Sequence, residues 1–151
     1  MRRYGEARVP GQRYTFRPGV YVILPRNGRI LLTFQAEPEP EIQVPGGGID
    51  PGETPLMALH RECFEETGWR IAKPRRIGAY RRFTYMPEYD LWAEKSCLFY
   101  VAMPVRPHGP PTEMGHETRW LDPDTAVQAI ASEGDRAMLL RALEGEFGPI
   151  F

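Results

Sequence analysis

Several absences narrow the class of protein before any motif is considered. No apolar run is as long as the roughly eighteen residues that a transmembrane helix needs, and the first residues lack the apolar stretch of a secretory signal. A cytoplasmic protein without membrane partners is therefore expected. The only two cysteines, Cys63 and Cys97, have no Cys or His partner at ligand spacing, so neither a disulfide framework nor a zinc site is predicted. Both are expected to be reduced and buried.

A large net charge is also absent. The chain has 19 Lys and Arg against 20 Asp and Glu, a net charge of −1, which argues against bulk electrostatic binding of nucleic acid or anionic membranes. Its 151 residues suit one compact domain, predicted over residues 1–151. Residues 1–18 carry five arginines against one glutamate, and this basic arm is expected to pack on the domain or to precede it.

The charges are unevenly distributed along the chain. Between Glu37 and Glu66 there are eight acids and a single base, Arg61. Such a block is usually solvated or disordered unless cations neutralise it. Because helix and turn signals lie inside the block, disorder is not expected.

Short apolar runs between turn signals predict the strands. Residues 19–24 and 29–34 flank Asn27-Gly28, a strong hairpin signal, and are predicted to pair across it. Pro45 followed by three glycines predicts a loop. The other predicted strands are residues 76–85, residues 96–105 and a short run that ends at Trp120-Leu121.

Capping signals predict a helix over residues 55–67. Thr54 is a suitable N-cap, Pro55 suits the first helical position, and Gly68 is a typical C-terminal stop. Apolar spacing predicts two more helices, after Asp122-Pro123 and around residues 138–143. Strands on both sides of a helix, followed by C-terminal helices, indicate an α/β fold with a mixed sheet between helical layers.

The predicted helix 55–67 carries three glutamates on one face. Glu62, Glu65 and Glu66 stand at positions i, i+3 and i+4, and are predicted to point outward. Three acids alone would usually be a solvated face. The apolar residues on the opposite arc, predicted to contact the core, are Leu56, Met57, Leu59, Cys63 and Phe64.

These glutamates belong to a longer spaced pattern. Gly47 is followed by Glu53, then by Arg61-Glu62, Glu65-Glu66 and Gly68, and the pattern resembles the Nudix box with every fixed position filled. Cys63 and Trp69 stand where the family has bulky aliphatic residues, a departure that bears on packing. The resemblance implies the Nudix fold and a hydrolase that cleaves the pyrophosphate bond of a nucleoside diphosphate linked to another moiety.

The resemblance also implies a set of site residues. The cofactor would be Mg²⁺, with Mn²⁺ able to substitute. Glu62 and Glu66 would be its principal ligands, with Glu65 assisting and the Gly46 carbonyl completing the set, as oxygen ligands suit Mg²⁺. Arg61 and Glu53 would pair and fix the loop against the helix.

The general base is open among three candidates. In the family it often comes from a later loop shortly before a Trp, and here Glu113 and Glu117 both precede Trp120. Glu113 is favoured because its separation from Trp120 is closer to the usual one, and Glu65 is the third candidate. His60 and His116 lack ligand spacing and are interpreted as bystanders.

Substrate contacts are predicted in the basic segment that follows the box. Arg81 and Arg82 are candidates for phosphate binding and Tyr85 for stacking on a base, with a solvated strand edge as the alternative. The expected partner is a small-molecule nucleotide, nucleic acid is not expected, and a homodimer is left open. The alternative functions are a Nudix-fold domain that binds a nucleotide without cleaving it and an RNA 5′-end pyrophosphohydrolase.

Overall fold

Two β-sheets and three helices form the structure, a computed structural model that describes all of residues 1–151. The helices are α1 (Pro55–Thr67), α2 (Pro123–Ala129) and α3 (Glu133–Leu143). The strands are β1 (Arg2–Arg3), β2 (Thr15–Ile23), β3 (Pro25–Arg26), β4 (Arg29–Gln35), β5 (Glu41–Gln43), β6 (Gly46–Gly48), β7 (Trp69–Met86), β8 (Leu91–Pro107) and β9 (His116–Leu121).

The larger sheet has five strands in the order β1-β7-β8-β2-β6. β7 and β8 form a long antiparallel hairpin, and β2 runs parallel to β8 with Val20 opposite Leu98. The strands predicted at 76–85 and 96–105 lie inside this hairpin, which extends beyond both. Part of the predicted basic arm belongs to the same sheet, because β1 pairs with β7 and β2 begins at Thr15.

The three glycines predicted as a loop form the edge strand β6 instead, so that prediction is wrong. β6 pairs antiparallel with β2, with Gly46 opposite Tyr21. The approach is very close, since a Cβ on Gly46 would lie 2.2 Å from the carbonyl oxygen of Val20. Glycine is needed here because backbone packs directly on backbone, rather than because the chain turns.

The smaller sheet is built around β4, which pairs with β9 along one edge and with β3 and β5 along the other. The predicted hairpin forms only next to its turn: the Leu31 amide donates to the Leu24 carbonyl, but residues 19–23 do not pair with β4. Both edges of β2 are already occupied, by β8 and β6, so β4 cannot pair with it and joins the other sheet. The Asn27-Gly28 turn does form, but it joins β4 to the two-residue strand β3.

The sheets lie between helical layers, which confirms the expected α/β fold class. Val20, Val22 and Leu24 pack toward α1, in a buried cluster with Leu59 and Cys63. The alternate residues of β2 face a second cluster, which α2 and α3 cover. Both cysteines are free and buried, as expected. None of the three helices has the length and apolar composition that a membrane crossing requires.

The helix α1 begins and ends where its capping signals predict. The Thr54 hydroxyl accepts a hydrogen bond from the Met57 amide at 3.2 Å, and Gly68 takes the left-handed conformation with φ of 75°. These local signals are independent of the rest of the fold.

The rotation of α1 differs from the prediction. Leu56 and Met57 are 45% and 57% exposed rather than packed in the core, whereas Glu66 is only 4% exposed. The Glu66 carboxylate accepts a hydrogen bond from the Gly46 amide at 3.2 Å, which turns this edge of the helix toward β6. The buried face of α1 therefore combines Ala58, Leu59 and Cys63 with an acid.

The rotation of α1 predicts that truncating two of its leucines lowers the free energy of unfolding by very different amounts. Leu59→Ala removes a fully buried side chain and is expected to lower the free energy of unfolding by about 2–5 kcal/mol. Leu56→Ala is the matched control and should cost less than about 1 kcal/mol, since Leu56 is largely exposed. Urea unfolding of both variants measures the difference, and equal losses would contradict the observed rotation.

Candidate functional site

A single arginine, Arg61, ties the segment after β6 to α1. Its guanidinium donates two hydrogen bonds of 2.7 Å to the Glu53 carboxylate and one of 3.0 Å to the Gly48 carbonyl. These bonds are the main reason that the pKa of Glu53 falls to about 2, with the Asp50 amide as a second cause. The pair predicted between Arg61 and Glu53 is thus present, and it fastens the loop to the helix.

The same guanidinium also contacts two of the three glutamates on the helix. Arg61 lies 3.0 Å from Glu62 and 3.2 Å from Glu65. Burial nevertheless raises the pKa of Glu62 to about 7, against the lowering effect of Arg61. Glu65 is more exposed than Glu62, with 39% of its side chain accessible.

Glu66 is the most deeply buried carboxylate of the site. Burial raises its pKa well above the usual value, although the hydrogen bond from the Gly46 amide acts in the opposite direction. Nearby Glu113 and Glu62 raise it further by charge repulsion. The charged forms of Glu62 and Glu66 are therefore disfavoured unless additional positive charge is supplied.

The loop of residues 108–115, between β8 and β9, lies over the C-terminal end of α1. The amides of Thr112 and Glu113 both donate to the Glu65 carbonyl at 2.9 Å, and the His108 amide donates to the Gly68 carbonyl at 2.8 Å. These bonds satisfy carbonyls that a helix end leaves unpaired. Strand β8 ends at Pro107 and β9 begins at His116, which sets the bounds of this loop.

The structure separates Glu113 and Glu117, the two carboxylates outside the box that are proposed as the base. Glu113 has a carboxylate oxygen within 4.8 Å of those of Glu62 and Glu65. Glu117 is 64% exposed and pairs instead with Arg119 at 2.8 Å. Glu113 is therefore the one that can reach the helix acids, and its role as base stays a prediction.

A histidine that the sequence favours as a bystander lies inside the acidic cluster. The His116 side chain is 8% exposed, with Nδ1 3.7 Å from Glu66 Oε2 and Nε2 3.7 Å from Glu113 Oε1. One sequence signal could have indicated this position. His116 and Trp120 have the same parity along β9, so both side chains point to the face that packs toward α1.

A cavity of about 1290 Å³ opens beside these groups. Glu62, Glu66, Glu113 and His116 line it, and so do the β6 glycines. Its lining also includes three cationic side chains, Arg17, Arg82 and Lys95. Acidic and basic groups therefore face the same space.

Aromatic and buried polar groups complete the lining. Tyr21 stacks on Phe99, with ring centroids 5.6 Å apart, and lines the cavity. Asp135 accepts a hydrogen bond of 2.6 Å from the Tyr80 hydroxyl, and burial raises the pKa of its carboxyl. The polar lining thus extends well beyond the glutamates of α1.

Only one of the three predicted substrate contacts lines this cavity. Arg82 faces it, whereas Arg81 and Tyr85 point to the opposite face of β7, where the Tyr85 hydroxyl donates to Asp90. The lining residues Arg17 and Lys95 are not among the predicted contacts.

The fold and the cavity define an α/β protein whose site combines clustered carboxylates with cationic side chains. Residues 15–142 match the NUDIX domain, and the chain belongs to this family. The family resemblance of the sequence is thereby confirmed.

Two curated relatives each match about half of the chain. A Bacillus subtilis protein provisionally named 8-oxo-dGTP diphosphatase is 35% identical over 74 residues, which are 49% of this chain and 50% of that protein. An RNA pyrophosphohydrolase of Halorhodospira halophila is 44% identical over 69 residues, 45% of this chain and 38% of that enzyme. The chain thus matches half or less of the length of these relatives.

A solved structure shows the same fold. A NUDIX hydrolase from Nitrosomonas europaea superposes with a TM-score of 0.73 at 17% sequence identity, covering 90% of this chain and 94% of that one. At this identity the likeness concerns the fold alone.

Substitutions of two neighbouring glycines of β6 test whether the glutamates bind a cation. A Cβ at position 47 would lie 2.4 Å from the Glu62 carboxyl carbon, so Gly47→Ala must displace that carboxylate. Mn²⁺ affinity should then fall at least about tenfold. Gly48→Ala meets no atom within 4 Å and is the control, with affinity within about twofold of wild type. Titration of free Mn²⁺ by electron paramagnetic resonance (EPR) measures both, and an unchanged affinity in Gly47→Ala would exclude Glu62 as a ligand.

Proposed function

We propose that this protein hydrolyses the pyrophosphate bond of a nucleoside diphosphate linked to another group, with Mg²⁺ as cofactor and Mn²⁺ as a substitute. The observation that carries the proposal is the shared cavity, in which buried glutamates face the cations Arg17, Arg82 and Lys95. Membership of the NUDIX family supports a hydrolase that acts on pyrophosphate bonds.

The donor set fits a divalent cation. Mg²⁺ prefers oxygen ligands, and the residues that would hold it are Glu62 and Glu66, with Glu65 and the Gly46 carbonyl. Positive charge beside Glu62 and Glu66 would favour their charged forms, which burial alone disfavours. When bound, the cation would offset the negative charge of the phosphates and polarise a phosphoryl oxygen.

Arg61 and Glu53 act as positioning residues in this proposal. Arg61 joins Glu53, the Gly48 carbonyl and Glu62 through one rigid guanidinium. The distance between β6 and α1 is thereby fixed, and with it the separation of the Gly46 carbonyl from the helix carboxylates.

Glu113 is the group that we assign to accept a proton from the attacking water. Its amide is bonded to the Glu65 carbonyl, so the base of its side chain is held over α1. As the proton moves to Glu113, the water oxygen bonds to phosphorus, and the bond to the bridging oxygen breaks with its electron pair on the leaving phosphate. Glu65 is the alternative base, because it belongs to the same group of carboxylates.

The remaining cavity would hold the rest of the substrate. Its volume of about 1290 Å³ exceeds the roughly 300–1,000 Å³ of many small-molecule pockets, which leaves room for a nucleotide with a second moiety. Arg82 and Lys95 would bind phosphate oxygens. The exposed part of Tyr21 offers a surface on which a base could stack.

The RNA 5′ end is a second candidate substrate. It is favoured by the 44% identity to an RNA pyrophosphohydrolase over 69 residues, 45% of this chain. The relative named for 8-oxo-dGTP supports a free nucleotide instead.

A phosphate-release screen distinguishes these substrates. The panel contains 8-oxo-dGTP, ADP-ribose, a dinucleoside polyphosphate and RNA with a 5′-triphosphate, each with Mg²⁺ or Mn²⁺. Parallel reactions with added pyrophosphatase separate phosphate release from pyrophosphate release. Tight binding of a nucleotide without cleavage of any member would instead indicate a binding domain.

The glutamate assignment predicts large losses of turnover. Glu62→Gln and Glu66→Gln should each lower kcat at least roughly 10²-fold while the protein stays folded, because each removes charge that stabilises the transition state. Glu144→Gln, at an exposed position after α3, is the control and should keep wild-type turnover. Near-normal kcat for both helix variants at saturating Mg²⁺ would refute the assignment.

The assignment of Glu113 as the base predicts that Glu113 and Glu117 variants differ in turnover. Glu113→Gln should lower kcat roughly 10²-fold or more, with a smaller effect on KM, because a base acts mainly in the transition state. Glu117→Gln is the control, since its exposed side chain pairs with Arg119. If only Glu117→Gln loses activity, the base is Glu117, and if neither does, the base is Glu65.

A further inference from the structure

The imidazole of His116 contains the one buried side-chain polar atom without a hydrogen-bond partner. This atom is Nδ1, and the side chain that carries it is 8% exposed. Buried polar atoms are paired in most proteins, because leaving one unpaired costs stability. An unpaired atom beside a functional site therefore points to a bound ligand as its partner.

The atom that faces Nδ1 is also without a hydrogen bond. Glu66 Oε1 accepts from the Gly46 amide, whereas Oε2 points toward His116 at 3.7 Å. This distance is too long for a direct hydrogen bond. Two atoms that can each donate an electron pair thus face one another across a short gap.

Carboxylate oxygens lie at the same distance, 3.7 Å, from both ring nitrogens, but only Nδ1 is buried without a partner. Nε2 lies 3.7 Å from Glu113 Oε1, so a carboxylate acceptor lies on the side of the second ring nitrogen. With the proton on Nε2, next to this acceptor, the Nδ1 lone pair is free to bind a cation. A histidine that binds a metal usually directs its other N–H at a carboxylate or carbonyl in this way.

We infer that His116 Nδ1 and Glu66 Oε2 form a cation position with a nitrogen ligand, next to the all-oxygen set of Glu62, Glu65 and Glu113. Nδ1 and Oε2 are 3.7 Å apart, close enough for two donors that share one ion. The inference rests on the proposed metal-dependent function and deepens it. The nitrogen ligand makes this position favour first-row transition metals over Mg²⁺.

The direct test is pulsed EPR of the whole chain loaded with saturating Mn²⁺. Histidine nitrogen bound to Mn²⁺ modulates the electron spin echo, and labelling the histidines with ¹⁵N changes that modulation. We expect the labelling-dependent modulation in the wild type and in His60→Gln, an exposed histidine on α1, but not in His116→Gln. Retained binding of Mn²⁺ in His116→Gln would show that the oxygen ligands remain in place.

Calorimetric titration gives a second readout that needs no substrate. His116→Gln should weaken Zn²⁺ binding at least about tenfold and Mg²⁺ binding less than about threefold. His60→Gln should change neither affinity. Equal losses for both ions in His116→Gln would indicate a general distortion and overturn the inference.

The wild-type protein alone is sufficient to refute the inference. Bound Mn²⁺ without histidine modulation would mean that the imidazole only bridges the two carboxylates, and the proposed hydrolase would be unaffected. If the free Mn²⁺ signal does not fall when wild-type protein is added, the metal-dependent function fails together with the inference. The two failures are thus distinguishable in one sample.

Discussion

Repulsion among closely spaced carboxylates is the constraint on which the rest of this site depends. One guanidinium, that of Arg61, lies within 3.3 Å of four of them: Asp50, Glu53, Glu62 and Glu65. It leaves Glu66 and Glu113 without a cationic partner from Lys or Arg. The uncompensated charge is thus concentrated where the cavity opens, so a ligand that brings positive charge stabilises the fold and the site together.

The second requirement is the absence of side chains between β6 and α1. A Cβ on Gly46 would meet the backbone of β2, and one on Gly47 would meet the Glu62 carboxylate. The backbone of an edge strand can therefore contact the acidic face of the helix directly. This contact explains how the Glu66 carboxylate is both buried and hydrogen-bonded.

Features that depend on local interactions could be predicted from the sequence, whereas features that depend on contacts between distant residues could not. The bounds of α1 are correct because its caps are local, whereas the pairing of β2 depends on β6 and β8, which are distant in sequence. Spacing alone left Glu113 and Glu117 as alternatives, and the loop bonds to the Glu65 carbonyl separate them. Arg81 and Tyr85 lie outside the cavity because successive side chains of β7 point to opposite faces of the sheet. An error of one residue in the predicted orientation is enough to place a side chain on the wrong face.

The loop that presents Glu113 is held mainly through its main chain. The bonds from Thr112, Glu113 and His108 to α1 are backbone to backbone, and Met114 next to them is 94% exposed. The main-chain atoms thus anchor the loop, and its side chains are the atoms that can contact a ligand. Replacement of Pro110, Pro111 or Met114 could change what the loop offers to a ligand while its anchors persist, so substrate preference can diverge in evolution, or be redesigned, without rebuilding the scaffold.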